Sequence, residues 1–523
     1  MKRLSFILIS ILLAMSVWAQ GEIDLNVNWT KMDSPAKGKR TNTSMFLTEE
    51  NGIVYSLYVT GIPPEKDFTG NYFMKVNTKD GKTESLKVEL KNEKKTERDF
   101  ETTLMIGNEI YLFSSFNNKK QKKYYFFAET INKNPLDYNH DERLIAEIDY
   151  SKVKGNKIGD LEIVLSPDQS HILLSYSLLN KKGVVLRNGL DVLDKDLNLI
   201  WHRENDYPHI DKNVRTYQGS YVIDNNGNVY SSYRSYAEKN RSLYISYYPA
   251  DGTPVQMKEI KLSDGIYALA EKLDINNYNQ LVCAGYYSRI GNSSAEGVFS
   301  IVFGNNWNTI YDINETAFSN EFFTKGLSDK KAEKMLAKVE KGKDFDDDYS
   351  YAFNDIHFNE NGSFYLTSEK IARTLVIDRR QGVEKKYYIY YYDDVYITNF
   401  DASGNMIWTD KIAKSQKLIG KTHFAGSYSI DFDDDGSVHL IYTETDLRLD
   451  RNLSNDTQPT YIHFDKNGIE TYYDILSEDN DIRKEFSPIL SRGLGNGRFL
   501  LYQVDYGPLI GSSILKLGIV NIK

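Results

Sequence analysis

Cysteine occurs once in 523 residues, as Cys283, so no intramolecular disulfide can hold this chain and its fold must stand on a packed core. With 41% hydrophobic residues such a core is feasible, and Cys283, set in Leu281-Val282-Cys283-Ala284, reads as a small buried hydrophobe. Proline is scarce, at 11 residues, and no Pro- or Ser-rich linker divides the chain into separate domains. A basic excess is also missing. The net charge is -9 with Lys and Arg spread along the sequence, which argues against a general binder of nucleic acid or anionic membrane. The eight histidines form neither H-x-H nor H-E-x-x-H, and no nucleophile elbow or phosphate-binding loop occurs, so a zinc hydrolase has no support. Beyond the N-terminus no apolar run is long enough to cross a bilayer.

What the N-terminus does carry is Lys2 and Arg3, an apolar run over 4–15, then Val17, Trp18 and Ala19 before Gln20. A short positive region, a run too short to span a bilayer and small residues at the end predict a signal peptide over 1–19. The mature chain, 20–523, is expected to be exported to the periplasm or beyond, with no membrane insertion after cleavage. Cys283 lies far from the cleavage position, which excludes lipid attachment there.

The informative presence is a repeat. Tight turns at Asn51-Gly52, Gly107-Asn108, Pro167-Asp168, Asn226-Gly227, Asn276-Asn277, Asn361-Gly362, Asp435-Gly436 and Asn496-Gly497 each precede a run rich in Val, Ile, Leu and Tyr. A hairpin recurring every roughly 50–60 residues marks a radial β array. Most units carry a second turn, such as Ala250-Asp251-Gly252 or Ala402-Ser403-Gly404, followed by another apolar strand. Four strands per unit make an all-β propeller of antiparallel blades over 43–90, 99–150, 159–206, 214–262, 267–314, 351–413, 424–475 and 487–522. Eight blades follow, or seven if the weakest unit, 99–150, is irregular. The last unit ends after three strands, and the alternating segment 23–29 (Ile23, Leu25, Val27 and Trp29 against polar neighbours) predicts the strand that closes it.

Two units share a further pattern, Asp194-x-x-x-Asn198-x-x-Trp201 and Asp401-x-x-Gly404-Asn405-x-x-Trp408. This resembles the quinoprotein-type propellers, in which the Trp locks neighbouring blades. The resemblance implies the fold and carries no cofactor, because most blades here lack the Trp. Leu165-Ser166-Pro167-Asp168 resembles the turn of exported periplasmic propellers in the same limited sense.

The tight turns all join strands one to two or three to four, which places them on one face. The long connections belong to the opposite face: the segment 371–386 in blade six, 443–460 in blade seven, and an insertion over about 316–349 between blades five and six. Connections this long usually have a purpose. The insertion is expected to hold a helix, with Ser328 as N-cap, Gly342 closing the end, and Ala332, Met335, Leu336 and Val339 forming one apolar stripe. Candidate binding residues on the long connections are Arg379, Arg380, Tyr387, Arg448 and Arg451, able to hold a carboxylate, a phosphate or a sugar ring. Asp431, Asp433 and Asp435 match D-x-D-x-D-G, whose alternating carboxylates can wrap Ca²⁺. Position twelve is Tyr442 rather than an acid, so the sequence favours a structural turn and no bound cofactor. The function expected from this pattern is a binding or scaffold module of the bacterial cell envelope, its partner an envelope protein or a glycan. A glycan-active hydrolase or lyase using the same face is the alternative.

Overall fold

The computed structural model describes residues 20–25, 27–32, 41–60, 70–93, 96–151, 157–207, 215–236, 241–304, 307, 310–344, 349–380, 383–419, 426–444, 458–476, 486–506 and 513–522. Turn chemistry sets the local structure. Asn51 and Gly52 both adopt positive φ, 55° and 87°, which is the type I′ geometry whose twist matches the flanking strands. Among the described residues eight sheets of four or more strands follow one another along the chain. Blade three shows the pattern, with strands Lys157–Leu165, His171–Leu179, Val185–Asp194 and Leu199–Asp206 paired in order. The unit 99–150 is a complete meander to which the short strand Leu136–Tyr138 is added.

The core lies between the sheets. Tyr55 and Leu57 meet Ile110 and Leu112 between blades one and two, and equivalent clusters fill each later boundary. Met74, Val54, Leu500 and Leu517 join the last blade to the first, so the sheets form a propeller. Tyrosine serves as an inter-blade pin. Tyr286 of blade five is fully buried and its hydroxyl meets Ser368 Oγ of blade six at 2.7 Å. Cys283 is buried in the cluster between blades four and five, and burial pushes its thiol up, away from the reactive thiolate.

The closing strand differs from the expected 23–29. Thr30–Met32 pairs antiparallel with Ser513–Asn521 and completes the last blade, whereas Gln20–Asp24 pairs parallel with Glu470–Leu476 of blade seven. The alternation has another use. Ile23, Leu25, Val27 and Trp29 pack among Ile441, Ile475, Phe499 and Val520, so the segment seals the seam between blades seven and eight.

The segment 371–386 is not a loop either. Phe364–Arg380 and Val383–Phe400, the second and third strands of blade six, run on past the blade as a ribbon paired from Ile371 with Tyr392 to Arg380 with Val383. Side chains of strand-forming type on both arms, among them Thr374 and Val376 facing Ile389 and Tyr387, favour continued pairing.

The insertion holds two helices, α1 (Asn320–Thr324) and α2 (Asp329–Glu340). Ser328 is the N-cap of α2 and Gly342 follows its end with φ 58°. Met335 and Val339 pack on the cluster between blades five and six, so the predicted stripe lies against the rim. The sequence reading missed α1, whose Phe322 and Phe323 are buried beside Phe318 and anchor the insertion.

Candidate binding face

The face of the tight turns is occupied by the propeller itself. Its turns are laced from blade to blade: Gly107 N donates to Gln169 Oε1 at 2.6 Å, Asp168 N to Asn225 Oδ1 at 3.2 Å, and Asn225 N to Asn279 Oδ1 at 2.7 Å. Tyr278 Oη then donates to Glu360 O at 3.1 Å and Tyr365 Oη to Gly436 O at 2.6 Å. Arg498 reaches Glu49 at 3.0 Å and joins blade eight to blade one, while Lys133 of blade two pairs with Glu50. The two Trp residues act as their resemblance implies. Trp201 Nε1 donates to Gly227 O in blade four, and Trp408 Nε1 to Lys466 O in blade seven.

Of the Asp triplet, the first member belongs to this lacing. Asp431 accepts from Gly495 N at 2.7 Å and Gly497 N at 2.9 Å, so it clasps blade eight to blade seven. Burial pushes its carboxyl up, and these two amides work in the opposite direction. Asp433 Oδ2 sits 3.0 Å from His439 Nε2, and Asp435 accepts from Ser437 N at 2.8 Å within its own turn. The strand and the turn send each of these candidate Ca²⁺ ligands to a different partner. Among the described residues no three His, Cys, Asp or Glu form a group that could hold a metal.

The opposite face is built differently. The ribbon is fixed at its root by a buried network. Lys414 Nζ pairs with Glu369 and also donates to Gln416 Oε1 at 3.0 Å and Tyr392 O at 3.2 Å. Glu369 accepts from Ser427 Oγ at 2.7 Å, and Gln416 Nε2 donates to Thr443 O at 2.6 Å, tying the root to blade seven. Burial raises the Glu369 carboxyl and lowers the Lys414 ammonium, each opposed by its partner. Sequence gave no hint of this pair, whose members lie 45 positions apart without a shared motif. The short strand Gln416–Ile419 pairs with Ile389–Tyr392 and widens the base.

Beyond that root the ribbon presents Arg373, Leu375, Ile377 and Arg379 on one side of its first strand. Leu375 and Ile377 are 46% and 45% exposed. The Arg373 guanidinium lies 4.6 Å from the centre of the Tyr388 ring. Arg379 meets Glu384 at 3.2 Å, an exposed pair that contributes little to stability. Tyr387 is half-buried and pairs with Val376. Arg380 pairs through its backbone with Val383 at the ribbon end. Arg448 and Arg451 lie outside the described residues. The structure thus brings Arg379, Arg380 and Tyr387 onto one ribbon.

Beside it stands the insertion. α2 turns Lys330, Lys331, Lys334 and Lys338 to solvent, and Arg289 Nη1 donates to Val339 O at 3.4 Å to hold its end to blade five. Asp344, from the acidic run that follows, accepts from Ser294 N at 3.2 Å.

No protein-family model matches the sequence, and no curated protein matches it either. Solved structures similar to this chain include the Dos1 propeller, with TM-score 0.41 and 9% identity over 94% of both chains. The polysaccharide lyase Uly1 matches with TM-score 0.34 and 10% identity, covering 96% of this chain and 100% of its own. Porphyromonas gingivalis dipeptidyl peptidase 4 matches with TM-score 0.41 and 10% identity, over 90% of this chain and 58% of its own.

Proposed function

We propose that this protein is an exported binding module of the cell envelope that contacts an envelope protein or a glycan through the ribbon of blade six. The observation that carries the reading is the contrast between faces. One is laced turn to turn, whereas the other extends a ribbon with exposed Leu375, Ile377, Arg373 and Arg379 from a root fixed by Lys414 and Glu369. Apolar and aromatic anchors next to arginine are the residue types that dominate contact energetics. Export rests on the N-terminal apolar run and its flanks.

Capture from native envelope with the mature protein as bait tests the reading. Replacing Arg379, Arg380, Arg448 and Arg451 by Ala is expected to weaken capture without lowering the melting temperature. Capture unchanged by those replacements and by shortening the ribbon would remove the assignment.

A glycan-cleaving activity has one observation in its favour. Glu162, on the innermost strand of blade three, is exposed, yet desolvation pushes its carboxyl up against the pull of Lys272 in blade five. A carboxyl whose hold on its proton is strengthened in this way is the kind of group that serves as a general acid. Loss of polysaccharide turnover in Glu162→Gln, with capture intact, would establish this second reading.

A further inference from the structure

Backbone pairing on the ribbon stops before its end. The first ribbon strand, Phe364–Arg380, takes Ser350–Phe353 along its outer edge only from Ser368 to Ile371. From Ala372 to Arg380 no described strand occupies that edge. The second ribbon strand is covered by Gln416–Ile419 from Ile389 to Tyr392, and beyond it Glu384 and Lys386 already pair with each other at 3.0 Å. A free strand edge carries a row of unpaired amides and carbonyls, and it accepts an added strand unless something blunts it. No proline interrupts 372–380.

The side chains on this edge specify what would pair there. Arg373, Leu375, Ile377 and Arg379 alternate on one side, so two exposed apolar residues lie between two guanidinium groups. An added antiparallel strand places one residue opposite each of them, at about 4.5–5.5 Å between Cβ atoms. Carboxylates fit opposite the arginines and branched apolar residues opposite Leu375 and Ile377. Among the described residues Arg373 meets the Tyr388 ring, an arrangement that leaves its N–H groups for a carboxylate, and Arg379 exchanges an exposed contact with Glu384 for a new one. A second copy of this chain is the poorer occupant. Two such strands aligned antiparallel about Val376 set Arg373 against Arg379, a like-charge pair at each end.

We infer that the edge 372–380 of blade six binds a partner polypeptide by strand addition, the partner supplying an extended segment of acid-x-apolar-x-apolar-x-acid. This rests on the reading of the ribbon as the contact surface and names its occupant as protein rather than glycan. Main-chain pairing gives affinity and the alternate side chains give selectivity.

The probe is a blocked synthetic peptide, TDTITVTET, titrated into the mature protein and followed by fluorescence anisotropy. Saturable binding is expected, weakened about tenfold when both acids are changed to lysine, and about tenfold in the Arg373→Ala/Arg379→Ala variant with an unchanged melting temperature. N-methylation separates strand addition from simple charge attraction. Methyl groups on one alternate set of peptide amides should abolish binding, and on the other set should leave it intact. Equal affinity of the two methylated peptides, equal affinity of the lysine peptide, or no binding would each overturn the inference. So would a ribbon-dependent dimer in sedimentation that the peptide does not dissociate. If shortening the ribbon abolishes envelope capture while the peptide fails to bind, strand addition falls and the binding-module reading stands.

Discussion

Lys414 and Glu369 are 1% and 5% exposed at their side chains, and each has left water only because the other is there. Replacing Lys414 by Ala therefore strands a buried carboxylate and is expected to cost about 3–5 kcal/mol, whereas Lys414→Met with Glu369→Leu recovers most of that loss. Chemical denaturation of the three proteins checks it; a single variant as stable as the parent would mean the pair is not buried as described. Asp274 makes a pH-dependent contribution. Burial pushes its carboxyl up to about 6 from 3.8, against amide donation from Ile275 and Ile356 of the next blade. The native state thus holds this proton more tightly than the unfolded chain. The stabilisation is complete below pH 3.8 and is lost as pH rises through about 6. The parent's stability relative to Asp274→Asn should fall as pH rises across that window, and parallel pH profiles would contradict it. Gly493 is fixed by space: a Cβ there would sit 2.4 Å from Ile430 O and 2.5 Å from Asp431 Oδ1. Gly493→Ala should lower the melting temperature by forcing the seam of blades seven and eight apart.

At the scale of elements, the strands that open the described chain belong to two different blades. Removing residues 20–32 takes the closing strand from blade eight and the apolar side chains from its seam with blade seven. Calorimetry should then show a lower melting temperature for the whole array, since the removal opens a sheet edge within the ring. Shortening the ribbon at 373–388 should leave that temperature nearly unchanged, because its far end is largely exposed. The hairpin turns were legible in sequence because Asn, Asp and Gly are needed where φ is positive, as at Asn51 and Gly52. The helix α2 was legible from its cap and its 3.6-residue stripe. The ribbon was not. Charged Arg379, Arg380, Glu384 and Lys386 near its end read as loop chemistry, although Thr374, Val376, Ile377, Tyr388 and Tyr390 on its two arms are strand formers. The segment 23–29 was expected to close the last blade and instead fills its seam with blade seven, since alternation reports which side chains are buried and not which backbone supplies the partner.

At the scale of the whole molecule, the proposed function divides the work between the two faces, closure on one and contact on the other. The tight-turn face keeps the ring together through turn-to-turn hydrogen bonds, and Asp431, Asp433 and Asp435 are spent there on the fold. A melting curve recorded with a chelator should coincide with one recorded in excess Ca²⁺, because a cation that bound only the native state would raise stability by linkage. A higher melting temperature in Ca²⁺ would return those carboxylates to metal binding. The division itself is tested by placing a photo-crosslinking residue at Leu375 or Ile377 on the ribbon, or at Lys195 in a laced-face turn, and irradiating in native envelope. Adducts of one defined mass from the two ribbon positions and none from position 195 are predicted. Adducts from position 195 alone would contradict the assignment of function to the ribbon face.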